Sequence, residues 1–279
     1  MALGALAWVV GLRLPRILLA RGIAERLVCA VRLTEDCANE PLLRAANGNE
    51  VAALLRDHAP AILYEDGMTA LPVDFRECRS DACAEGPDGG TAIRTGDGAR
   101  VTAFTHAVDC RSGHAAATEA WGGVCDGPRR GNLYLQYWLY YPGSATAEGA
   151  TPLRRPIRKV SALLGHSTYH PDDWEGYQVR IGSNGTAVRA TSHHGYNGWE
   201  RGSDRYYVSG GSHAGRPLPA PTRSWIRLRF VQPATRSTKD GRLLLIPLET
   251  LPGRDLHSFA ISAPWRKRVY FDPEYSGTD

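Results

Sequence analysis

The sequence predicts an all-β protein, a two-sheet β-sandwich with long loops and a short helical segment towards the N-terminus. Three observations carry this. From about residue 61 onward short apolar or alternating runs recur: "AILYE", "VTAFTHAVDC", "NLYLQYWLYYP", "WEGYQVRI", "AVRATSHH", "DRYYVSGG", "IRLRFVQ" and "LLLIPLE". Clusters of turn-forming residues such as "GPDGG", "TGDGAR" and "GSNGT" separate them. The 12 Tyr and 7 Trp suit pleated, half-buried surfaces better than helices. Two facing sheets are the usual way to bury one face of so many short strands.

Taken in chain order, residues 1–33 form a hydrophobic and basic segment, and residues 34–279 read as one sandwich domain. The apolar run of ten residues from Ala2 to Gly11 is followed by Arg13, Pro15 and Arg16. It is shorter than the roughly 20 residues that cross a bilayer. It also lacks the basic start and small-residue cleavage site of a signal peptide. The stump of a transmembrane region, an interfacial anchor and a helix packed on the domain all fit, and membrane association is the expectation. Next, in "NEPLLRAANGNEVAALLRDHAP", Asn49 is placed to cap a helix whose Val51, Leu54 and Leu55 share a face, and Pro60 ends it.

The six cysteines, at 29, 37, 78, 83, 110 and 125, include no C-x-x-C pair, which argues against a zinc knuckle or a thioredoxin-like motif. The spacings of Cys78 with Cys83 and of Cys110 with Cys125 suit local disulfides, although partly buried free thiols fit as well. Such bridges would place the domain outside the cytoplasm, secreted or anchored through its N-terminal segment. The formal charge of +4 is small, and the basic residues are scattered, so no nucleic-acid partner is expected.

Two strands carry the functional signal. In "GNLYLQYWLYYP", Tyr134, Gln136, Trp138 and Tyr140 face one way; Leu133, Leu135, Tyr137, Leu139 and Tyr141 face the other. This reads as a central strand buried on both faces, with Gln136 needing hydrogen-bond partners. In "HPDDWEGYQVRI", Asp173 and Glu175 share a face with Tyr177, Val179 and Ile181, whereas Trp174 lies on the opposite one. Two carboxylates on or beside a core-facing surface must be compensated or neutralised.

Five of the nine histidines, His166, His170, His193, His194 and His213, gather in the same third of the chain. A turn at Pro171 would let His170 converge with Asp173 and Glu175. One imidazole with two carboxylates is a good donor set for one divalent cation, with Ca²⁺, Mg²⁺ or Mn²⁺ favoured over Zn²⁺. The alternative compensation is a buried ion pair with basic residues such as those of "RRPIRK".

The pattern H-x-x-D-W-E, here His170, Asp173, Trp174 and Glu175, resembles the core motif of the necrosis- and ethylene-inducing-like cytolysins. It is also similar to the motif of the vacuolar protein sorting sixty-two-like family. The second resemblance extends over "HAPAILYEDGMTALPVDF", "LQYWLYYP", "SHHGYNGW" and "GGSHAG", in order, across about residues 57 to 216. These resemblances imply a β-sandwich with a single divalent-cation site, its motif ligands carried onto His170, Asp173 and Glu175. The cytolysins also use an Asp after the aromatic strand, where "YYPGSATAEGATP" offers only Glu148, and a second His where this chain has Asp172. Asp172 or Glu148 is therefore the expected replacement ligand, and cytolysin activity itself is not expected to carry over.

The expected function is binding: an extracytoplasmic, divalent-metal-dependent module at a membrane or cell surface, recognising a polar lipid head group or a glycan. Trp138, Tyr140, His194, Trp199, Ser212 and His213 are its candidate ligand-binding residues, with Tyr206 and Tyr207 as further aromatic surfaces. A metal-assisted hydrolase with His194 or His213 as general acid or base is one alternative. A purely structural, metal-stabilised domain is the other. Ser212 and His213 are sequence neighbours, which on a strand point to opposite faces and so do not form a dyad. No G-x-S-x-G, H-E-x-x-H or phosphate loop occurs.

Overall fold

The computed structural model describes residues 36–64, 71–79, 101–112, 125–145, 169–192, 195–201, 205–208, 213–217, 236–237 and 243–277. Helix α1 (Asp36–Asp57) is followed by strands β1 (Ala61–Tyr64), β2 (Thr102–Asp109), β3 (Leu133–Ala145), β4 (Tyr169–Gly182) and β5 (Gly185–Ser192). Then come β6 (Gly195–Tyr196), β7 (Arg205–Val208), β8 (Gly215–Pro217), β9 (Arg236–Ser237) and β10 (Leu244–Pro247). A C-terminal segment of single 3₁₀ turns ends in the short helix α2 (Arg268–Phe271). The expected two-sheet, mainly β architecture is found. One sheet has the order β10-β2-β3-β4-β5-β6, the other β8-β7-β1-β9. Pairings are antiparallel except β10 with β2 and β1 with β7.

The helix starts earlier than its capping signal indicates, and its backbone breaks at Gly48 (φ 76°), one residue before Asn49. Beyond that break Val51, Ala52 and Leu55 pack on the inner core, as their spacing requires. The Tyr137 hydroxyl donates to the Leu55 carbonyl at 2.7 Å, satisfying one of the acceptors that a helix end leaves open.

β3 and β4 form the spine. Their register sets Tyr141 opposite Asp173, Tyr140 opposite Trp174 and Leu139 opposite Glu175. The inner face, with Leu135, Tyr137, Leu139, Tyr141, Tyr177 and Val179, packs against Ile62, Tyr206 and Val208 of the smaller sheet. The outer face carries Phe104, Trp138, Tyr140 and Trp174, and is covered by Leu248, Leu251, Trp265, Val269 and Tyr270 of the C-terminal segment. That cover explains how β3 is buried on both faces. It also supplies the partners that Gln136 needs: its Nε2 donates to the carbonyls of Val269 (3.0 Å) and Tyr270 (3.2 Å), and its Oε1 accepts from Trp138 Nε1 (3.0 Å).

Cys110 and Cys125 form the expected local disulfide. Cys78 is disulfide-bonded as well. Among the described residues no helix is long and apolar enough to cross a membrane. The segment of residues 1–33, Cys83 and "RRPIRK" lie outside the described residues.

Candidate functional site

Strand alternation delivers Asp173 and Glu175 to the inner face of β4, both buried, while Trp174 points outward into the aromatic cluster. Their partners come from two other strands or their flanks. His213, just before β8, meets the Asp173 Oδ2 with its Nδ1 at 2.9 Å. The Thr191 hydroxyl of β5 donates to Glu175 Oε2 and the Gly176 N–H donates to the Thr191 oxygen. The imidazole of His213 lies flat on the Tyr141 ring, with centroids 3.8 Å apart and planes 4° from parallel.

The electrostatics of this cluster are unbalanced. Burial, and then the neighbouring Asp173 charge, push the Glu175 carboxyl well above its ordinary range; the Thr191 hydroxyl and the more distant Lys267 offset only part of this. Burial, Glu175 and Asp173 likewise push the Tyr141 phenol up. The Tyr141 hydroxyl is buried and has no hydrogen-bond partner among the described residues. Asp172 and His213 are the non-glycine residues with left-handed backbone among those described, at φ 56° and 51°. Such strain collects where surrounding structure enforces it, often at functional sites.

Asp172 does not join the inner pair. Its carboxylate points to the outer side, where it accepts from Arg79 Nη2 (2.7 Å), the Tyr140 hydroxyl (2.6 Å) and the Ala260 N–H (2.8 Å). His170 is exposed at the start of β4, and its Nδ1 lies 2.9 Å from the Asp172 carbonyl. Among the described residues, no three His, Cys, Asp or Glu side chains form a group that could hold a metal ion.

The remaining candidates fall in three places. Trp138 and Tyr140 are fully buried beneath the C-terminal segment. Trp199 is partly buried, donates to Glu274 Oε2 at 2.8 Å, and has the guanidinium groups of Arg180 and Arg189 at 4.7 and 4.6 Å from its ring. Tyr206 and Tyr207 are buried on β7. Glu148, His166, His193, His194 and Ser212 lie outside the described residues. Sequence reasoning named His213 but missed its role as the partner of Asp173. It also missed Thr191 and Arg79, which nothing local sets apart: Thr191 is one of several polar residues of β5, with Thr186, Arg189 and Ser192, and Arg79 follows Arg76 by three.

Among solved structures, the chain is similar to NLPPya in complex with mannosamine, at a TM-score of 0.41 and 14% identity, covering 81% of this chain and 89% of that one. NLPPya in complex with glucosamine gives a TM-score of 0.41 at 16% identity, covering 84% and 92%. A structure described as "Toxin fold for microbial attack and plant defense" gives 0.36 at 14% identity, covering 74% and 77%. These neighbours are proteins of the necrosis- and ethylene-inducing-like toxin fold. No family model and no curated protein matches the chain.

Proposed function

We propose that this chain is an extracytoplasmic binding module in which a divalent cation, held at Asp173 and Glu175, engages a polar lipid head group or a glycan. One observation carries the reading: two buried carboxylates lie two residues apart on one strand face, with one imidazole and one hydroxyl as their hydrogen-bond partners. Burial and Asp173 favour the neutral form of Glu175, and a bound cation is what would hold both groups ionised. His213 and the Tyr141 hydroxyl would complete its surroundings, and His170 would stand at the mouth of the strand. When bound, the cation would supply a positive centre for hydroxyl or phosphate oxygens. The disulfides support an oxidising compartment.

A structural reading has its own support. Asp173 pairs with His213 and Glu175 with Thr191, and among the described residues no group of His, Cys, Asp and Glu side chains could hold a metal ion. Calorimetry separates the two. Mn²⁺ should bind the wild type and not Asp173→Asn, and saccharides or anionic vesicles should bind only the Mn²⁺-loaded protein. Absence of Mn²⁺ binding to the wild type would leave the structural reading in place.

A further inference from the structure

We propose that Asp172 and Arg79 form a latch on the outer side of the sheet that positions the Asp173–His213 pair on its inner side. The inference deepens the binding reading and rests on the same site. Asp172 stands opposite Pro142, at the step that the β3–β4 register skips between Tyr141–Asp173 and Gly143–Pro171. Proline has no N–H to give to a ladder. The Asp172 carbonyl is met instead by His170 Nδ1 at 2.9 Å. Its backbone takes φ 56°, a left-handed conformation that is unfavourable for a side-chain-bearing residue and persists only where neighbours enforce it.

What enforces it is the carboxylate on the outer side. Arg79 reaches both oxygens through Nη2, each at 2.7 Å, and Oδ1 through Nε at 3.1 Å. The same guanidinium donates to the Ser258 carbonyl at 2.8 Å and lies 4.7 Å over the Phe259 ring. Together the Arg79 guanidinium, the Tyr140 hydroxyl and the Ala260 N–H, three groups in all, fix the Asp172 side chain to β3 and to the C-terminal segment. Asp172 and Asp173 share a peptide bond and point to opposite faces. Turning the backbone at Asp172 therefore turns Asp173 away from His213. Arg79 and Asp172 are positioning residues: they act on the site through the strand and do not touch a ligand.

The test compares Arg79→Met with Arg129→Met. The second substitution unfastens a different point of the same C-terminal segment, where Arg129 holds Asp272 at 2.6 Å. The first readout is the imidazole NMR signals of His213 in cation-free protein, assigned with His213→Gln; the second is Mn²⁺ affinity. Arg79→Met should shift the His213 signals and weaken Mn²⁺ by about tenfold or more, the scale for loss of an outer-shell support. Arg79→Lys should give a smaller change, and Arg129→Met should change neither readout. Unmoved His213 signals in Arg79→Met, or equal movement in Arg129→Met, would overturn the latch. If the wild type binds no Mn²⁺, the cation reading fails and the His213 signals alone decide. If Arg79→Met does not fold, Arg79→Lys and Asp172→Asn are read in the same way.

Discussion

Asp173 and His213 are 40 residues apart in the chain and 2.9 Å apart in the interior, Oδ2 to Nδ1. This contact ties β4 of the larger sheet to the entrance of β8 in the smaller one. Removing the imidazole leaves a buried acid without its partner. His213→Ala should therefore cost about 3 kcal/mol in urea unfolding, the scale for breaking a buried pair. The double variant with Asp173→Ala should cost clearly less than the sum of the single changes.

Trp174 tests the facing of β4. It is buried against Phe75, Phe104, Tyr140, Phe259 and Trp265. Trp174→Ala should lose about 3–5 kcal/mol of stability, as large aromatic truncations in cores do. Its side chain does not reach the inner face, so at a temperature where the variant is folded its Mn²⁺ affinity should stay within a few-fold of wild type.

Gln136 tests the docking of the C-terminal segment. Gln136→Leu removes the donor to the Val269 and Tyr270 carbonyls and the acceptor of Trp138 Nε1. Stability should fall by about 1–3 kcal/mol, the cost of stranding buried polar groups. Amide exchange over residues 265–275 should quicken more than exchange in α1.

Asp109 supplies a test of pH dependence remote from the site. The Arg111 guanidinium beside it holds its carboxyl below the ordinary value, outweighing the opposing effect of burial. A carboxyl depressed on folding adds stability above its unfolded pKa of about 3.9 and loses it as pH falls through the folded value. The stability difference between wild type and Asp109→Asn should thus be present at pH 7 and vanish in acid. Both side chains are more than a third exposed (39% and 36%), so it should stay below about 1 kcal/mol and shrink with salt.

Much of the fold is legible because strand alternation is a local signal. It placed Asp173 and Glu175 inward, Trp174 outward and both faces of β3 in the core, all as found. The C-terminal segment was not legible in the same way. Its "HSFAISAPWRKRVYFDPEYSG" has neither period, and its turns are held by partners such as Gln136 and Arg129 that lie far off in the chain. The pairing of Asp173 with His213 is of the same kind, since it depends on how two sheets stack. The outer placement of Asp172 follows from alternation, since it lies two residues before Trp174; its left-handed backbone opposite Pro142 does not.

The most direct test of the cation site is elemental analysis of protein purified without a metal-affinity tag, followed by thermal melting with and without chelator. A site at Asp173 and Glu175 predicts roughly one divalent ion per chain and a melting temperature that drops on chelation and is restored by Ca²⁺, Mg²⁺ or Mn²⁺. No bound ion, with melting indifferent to chelator and to each added cation, would contradict it and leave His213 and Thr191 as the full compensation of the two carboxylates.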